Sequence, residues 1–253
     1  MRSELLGLSA LISLSLFSHS SVANPPPPEQ KVELEQQPPK KGASEKTTNL
    51  KINLGTKSVD EIIDGIQGFY RNAKDLKAHF KQTYTYIQMG RKQNKSGRVF
   101  FKKPGKMRWD YAEPEPQVFV ADGETLWVYQ PNEAQAFKQP LKSAQLPVAL
   151  TFMGGEGELR DEFEASLVAS TDETPDTHQV RLIPKESEVN YKAVILTVRK
   201  SDFSVVSSTV VDPVGNLNQL VFADVKTNSD IPDRAFDFDP PQGVEIIDAA
   251  RPR

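Results

Sequence analysis

The chain has 253 residues, a formal net charge of -3, 38% hydrophobic residues, 19 prolines and no cysteine. That length holds one good-sized domain or two small ones, and a low apolar share with many prolines points to a stretch outside any packed core. The charge gives no reason to expect a nucleic-acid partner, and without cysteine there is neither a disulfide nor a thiol to carry a lipid anchor.

At the start, Arg2 precedes an apolar run, Leu5 to Phe17, and Ser21-Val22-Ala23 supplies small residues at the −3 and −1 positions. Residues 1–23 read as a secretory signal peptide cleaved after Ala23. An uncleaved anchor is the alternative, but the run falls short of the roughly 20 apolar residues a spanning helix needs. The mature protein is therefore expected free in solution. Residues 24–50, with two proline runs, many charges and no aromatic residue, read as a disordered or extended linker. A proline-rich docking peptide is the functional alternative.

The folded domain is assigned to residues 51–253. Ser58-Val59-Asp60-Glu61 is a capping box, and Val59, Ile62, Ile63, Ile66, Phe69 and Ala73 follow at helical spacing, predicting a helix to about Lys74. From Leu76 the period becomes two, with Phe80, Tyr84 and Tyr86 on one face. Gly90 to Gly97 reads as a polar loop, and "RVFFKK" runs to a Pro104-Gly105 turn. "KMRWDY" sets Met107, Trp109 and Tyr111 against Lys106, Arg108 and Asp110. "QVFVA" meets "ETLWVY" across Asp122-Gly123, a hairpin signal. A further short strand, "AFKQPL", follows. Pro147 opens a short helix bearing Val148, Leu150, Thr151 and Met153 before Gly154-Gly155. Glu158 to Phe163 is a helical turn or a strand start. Strands then resume in "HQVRLIPK", "AVILTVRK", "VVSSTVVD", "NQLVFADVKT" and "RAFDFDPPQGVEII", with a turn at Asp212 to Gly215. About ten strands and two or three helices give a mainly β (α+β) fold, an antiparallel sheet curled towards a barrel, with the helices as candidate lids.

Catalytic equipment is sparse. His19 leaves with the signal, and His79 and His178 stand alone among polar strand residues, a weak basis for a metal site or a nucleophile–base pair. Gly154 to Gly157 lacks the following Lys of a phosphate loop. Asp237 and Asp239 alternate with Phe236 and Phe238, which puts the acids towards solvent and the rings inward. No cofactor is expected. The apolar strand face either fills a packed core or lines a hollow beneath the helices. A hollow in an exported protein suits acyl chains, whose burial yields about 0.8 kcal/mol per methylene.

"FFKKPGKMRWDYAEPEPQVFVADGETLWVYQP" resembles the signature stretch of the LolA family of periplasmic outer-membrane lipoprotein carrier proteins. "PVALTFMGGEGELRDEF" is similar to that family's central helix and "FDFDPPQGVEIID" to its C-terminal end. The resemblance covers about Lys57 to Asp248 and implies an unclosed barrel whose apolar cavity receives the acyl chains of lipoproteins. It also implies an inner-membrane ABC-type release complex as donor and an outer-membrane acceptor lipoprotein as recipient, with the carrier itself a monomer. Tyr84, Phe100, Met107, Trp109, Val128, Val148 and Leu150 are the candidate lipid contacts. Met107 falls where the family places a partner contact. Lys103 stands where the family has an Arg that latches the lid through backbone carbonyls, and Thr151 lies on the lid; Lys donates but lacks the planar fork. Two rivals stay open: a lipid-sensing periplasmic regulator on the same fold, and a secreted lipid hydrolase using His79 or His178.

Overall fold

The computed structural model describes residues 57–144, 157–168, 176–186 and 190–249. The signal segment, the proline-rich stretch and the helix opened by Pro147 lie outside them.

Helix α1 (Val59–Asn72) starts where the capping box places it. The Ser58 hydroxyl accepts from the Glu61 N–H, and the Glu61 carboxylate accepts from the Ser58 N–H at 2.7 Å. Two of the helix's unpaired N-terminal donors are thereby satisfied. Its apolar stripe, Ile62, Ile63, Ile66 and Tyr70, is fully buried. Gly65 lies on the ring of Phe203: a Cβ there would come within 2.4 Å of it.

Strands β1 (Asp75–Tyr86), β2 (Arg91–Lys102), β3 (Lys106–Glu113), β4 (Gln117–Asp122), β5 (Thr125–Gln130) and β6 (Gln135–Pro140) form an antiparallel meander. One helical turn, α2 (Leu159–Glu162), precedes a second meander of β7 (Phe163–Val168), β8 (Thr177–Pro184), β9 (Ala193–Arg199), β10 (Val205–Val211) and β11 (Leu217–Thr227). Pairing of β1 with β11 fuses the two meanders into one sheet, and β12 (Glu245–Asp248) joins the β6 edge. The order is β12-β6-β5-β4-β3-β2-β1-β11-β10-β9-β8-β7, with β12 and β7 left unjoined at the two ends. The sheet is thus open. Residues near both ends, such as Leu126 and Val128 in β5 and Val180 and Leu182 in β8, nevertheless share one core cluster with α1. A sheet can bring its two halves onto one helix in this way only by curling around it.

Three expectations need correction. Arg91 to Gly97 is strand, not loop: it pairs residue for residue with Phe80 to Tyr86 around a tight turn at residues 87–90. Main-chain hydrogen bonds hold it there regardless of its polar side chains. The final segment is not one strand. Asp233 to Phe236 is a 3₁₀ turn, and only Glu245 to Asp248 is extended into the sheet. That last pairing is parallel, whereas an all-antiparallel sheet was expected.

The C-terminal segment crosses the outer face of β2 to β5 and builds a second, smaller core. Ile231 and Phe236 are buried there with Val120, and Phe100, Val118, Ala235 and Phe238 pack against them. The Phe238 ring lies 5.5 Å from both Trp127 and Tyr129, while Asp237 and Asp239 are exposed as their alternation predicted. Buried Asp75 begins the strap by accepting from the N–H groups of Ser229 at 2.7 Å and Ile231 at 3.2 Å. Lys102 continues it, donating to the Ile231 carbonyl and pairing with Asp233.

Candidate functional site

Strand register decides which side chains share the inner face. Cross-strand partners lie on the same side of a sheet, so the pairings trace rows from β1 towards β6. One row is Leu76, Phe101, Met107, Ala121 and Leu126. The next is Ala78, Val99, Trp109, Phe119, Val128 and Phe137. A third runs Phe80, Gly97, Tyr111 and Gln117. The second row is wholly apolar, the first is apolar until Gln139 ends it on β6, and all but Gln139 and Phe137 of their side chains are buried.

The third row marks a change. Gly97 leaves a gap in it: an added Cβ would stand 2.1 Å from the Asp110 carbonyl oxygen and 2.9 Å from the Phe80 ring. Phe80 occupies this space, edge-on to Trp109 and to Tyr111 at 4.9 Å from each. Beyond it, the inner face of β1, β2 and β11 becomes polar. Gln82 donates to Asn218 at 2.8 Å, and the Tyr84 hydroxyl donates to Asp212 at 3.2 Å. Burial and the negative Asp212 push the Tyr84 phenol up to about 12. Lys95 is drawn inward, its side chain 9% exposed, with the ammonium 3.8 Å from Glu115 and 5.9 Å from the centre of the Tyr111 ring. Burial lowers its pKa against the pull of Glu115. The inner face therefore has an apolar floor with a polar rim at the β1–β2 end. In this state α1 packs in one core with that floor, whose chemistry would suit a molecule that is largely hydrocarbon and polar at one end.

Among the residues singled out from sequence, Tyr84, Met107, Trp109 and Val128 are brought to this face. Phe100 is not. It pairs with Arg108 on the outer face, where the Arg98 guanidinium lies 5.9 Å over its ring, and it packs against the second core. Of the adjacent Phe100 and Phe101 only one can point inward, and the register selects Phe101. Met107 is 6% exposed, so in this state it offers almost no surface to a partner. Val148, Leu150 and Thr151 lie outside the described residues. Phe80, Tyr111, Phe119 and Phe137 belong to the face and were missed as contacts. The alternation in "KMRWDY" and "QVFVA" carries the signal for Tyr111 and Phe119.

Lys103 acts on α1. Its ammonium donates to the carbonyl oxygens of Tyr70 at 2.9 Å and Arg71 at 2.8 Å, the last turn of the helix. From the other half of the sheet, the Val205 N–H donates to the buried Tyr70 hydroxyl at 3.2 Å. At the opposite end, Arg160 in α2 bonds Asp60 at 2.7 Å and Asp64 at 2.9 Å. The helix is held over the inner face from both sides of the curl. His79 and His178 are on different strands, β1 and β8, and no cluster suited to a metal ion occurs among the described residues. No helix among them is long and apolar enough to cross a membrane.

A family model described as "Outer membrane lipoprotein carrier protein LolA" matches residues 71–239. The outer-membrane lipoprotein carrier protein of Alkalilimnicola ehrlichii is 32% identical over 183 residues, 72% of this chain and 81% of the relative. That of Chromobacterium violaceum is 28% identical over 182 residues, 72% of this chain and 85% of the relative. Among solved structures, an uncharacterized conserved protein from Thermus thermophilus superposes with a TM-score of 0.51 at 14% identity, covering 76% of this chain and 99% of the other. That last likeness is one of fold alone.

Proposed function

The chain belongs to the outer membrane lipoprotein carrier family LolA, and we propose that it carries lipoproteins across the periplasm to the outer membrane, holding their acyl chains against the inner face of the curled sheet. The observation that supports this most is the pair of apolar rows from Leu76 to Leu126 and from Ala78 to Phe137, bounded by a polar rim. Acyl chains laid on such a floor leave water at about 0.8 kcal/mol per buried methylene, and no charged contact is needed to hold them.

In this reading the protein is a carrier and not an enzyme. Tyr84, Met107, Trp109 and Val128 touch the chains, and Val148 and Leu150 cover them together with α1. Lys103 and Thr151 govern how firmly the cover is shut. An inner-membrane ABC-type complex loads the carrier and an outer-membrane acceptor unloads it, each through its own affinity for one state of the cover. Met107 meets a partner only once the cover has moved. Export through the signal at residues 1–23 delivers the protein to the periplasm.

The test is to purify the mature protein from its own cells and analyse it by mass spectrometry for bound acylated lipoprotein, then to deplete it and fractionate the membranes. Co-purifying lipoprotein, and lipoproteins stranded in the inner membrane after depletion, are expected. Empty protein together with normal sorting would rule the reading out.

A further inference from the structure

The indole N–H of Trp109 is buried and finds no hydrogen-bond acceptor among the described residues, although the residue is only 4% exposed. Its neighbours are ring faces and edges: Phe80 at 4.9 Å, Phe101 at 6.0 Å and Tyr111 at 6.4 Å. Buried indole N–H groups ordinarily find a partner, and leaving one unpaired carries a desolvation penalty. For packing alone a Phe would fill this place without that penalty. The nitrogen stands in the middle of the site, in the row that runs on to Phe119, Val128 and Phe137.

We propose that Trp109 is a ligand-selecting residue whose indole N–H donates a hydrogen bond to the carbonyl oxygen of a bound acyl ester. This rests on the carrier reading above and specifies which atom of the cargo is recognised. The complementarity is chemical. An indole nitrogen only donates, an ester carbonyl only accepts, and the carbonyl is the polar atom that every acyl chain brings. From Trp109 the methylenes run over the apolar rows. The glycerol and peptide end turns towards Gln82, Lys95 and Gln117, polar groups that the inner face gathers at its β1–β2 end. A plain hydrocarbon would fill the same floor and leave the donor unpaired.

The experiment compares two synthetic lipopeptides of equal chain length, one with an S-diacylglyceryl cysteine and one with its S-dialkylglyceryl ether counterpart, which has no carbonyl on the chains. Wild-type protein should bind the ester about fivefold tighter, the ratio expected for one ordinary hydrogen bond. Trp109→Phe should bind both equally, near the wild-type affinity for the ether. The wild-type preference stands as a measurement even where the variant folds poorly. In 15N-labelled protein the two tryptophans give two indole signals, and one should move downfield with the ester and not with the ether. Equal wild-type affinities for ester and ether, or a preference retained in Trp109→Phe, would overturn the assignment while leaving the carrier reading intact. Failure of wild-type protein to bind either lipopeptide would overturn both.

Discussion

Lys103 reaches from the β2–β3 turn to the end of α1, its ammonium donating to the carbonyl oxygens of Tyr70 and Arg71. The resemblance to LolA proteins implied that the residue at this turn latches the lid through backbone carbonyls. The described residues place the bonds at the C-terminus of α1, where carbonyls lack intrahelical donors and a cation is favoured. The β2–β3 turn thereby ties the helix to the half of the sheet that carries Trp109.

Lys103→Ala should release that end. The lost bonds are partly exposed, so a destabilisation of about 1 kcal/mol is expected, with amide hydrogen exchange accelerated in the last turn of α1 more than elsewhere. Lys103→Arg should retain the attachment. A uniform change in exchange across the sheet would argue against a local fastening.

Two carboxylates couple α1 and the outer strap to pH. The Ser58 N–H and hydroxyl hold Glu61 below its ordinary 4.5, and Lys102 and Lys106 hold Asp233 below 3.8. A carboxylate with a lowered folded pKa adds stability that is complete above its unfolded value and disappears as pH falls through the folded one. Melting temperature should therefore drop between pH 5 and pH 3. The Glu61→Gln/Asp233→Asn double variant should show a shallower drop and approach the wild type at the acid end, as followed by circular dichroism.

Gly65 and Phe203 should be energetically coupled. Alanine is worth up to about 1 kcal/mol over glycine inside a helix, but its Cβ would press on the Phe203 ring at 2.4 Å, and such overpacking costs about 1–3 kcal/mol. Gly65→Ala should destabilise the protein in denaturant titrations. Adding Phe203→Ala removes the clash, so the double variant should be more stable than the sum of the single changes indicates. Simple additivity would place Phe203 away from the helix.

Asp75 anchors the strap on the outer face. Asp75→Ala strips the acceptors from the Ser229 and Ile231 N–H groups; the buried Ile231 donor left unpaired costs about 1–3 kcal/mol, and the half-buried Ser229 donor less. Proteolysis should then cut first between Thr227 and Glu245. Unchanged resistance there would mean that the second core holds the strap without Asp75.

Much of this architecture was legible in the sequence. The capping box at Ser58 and Glu61, the Asp122-Gly123 hairpin and the inward face of Met107, Trp109 and Tyr111 follow from local chemistry and a period of two. What was hidden depended on partners distant in sequence. Arg91 to Gly97 has polar side chains and a glycine at its end, the composition of a loop, but β1 supplies its hydrogen bonds. Phe100 and Phe101 are adjacent, and only their opposition to Arg108 and Met107 tells them apart. The outer core did leave a trace. "QVFVA" is apolar on both faces, and a strand covered on one side only would alternate. The strap over Val118 and Val120 is what that pattern required.

Photo-crosslinking in living cells tests the central claim most directly. Benzoylphenylalanine is placed at inner-face positions Tyr84 and Phe137 or at outer-face positions Phe100 and Val221, the latter an exposed residue of β11 opposite Lys81, followed by capture of acylated lipoprotein. Adducts are expected from Tyr84 and Phe137, with none from Phe100 or Val221. Adducts formed mainly at the outer positions would contradict the account.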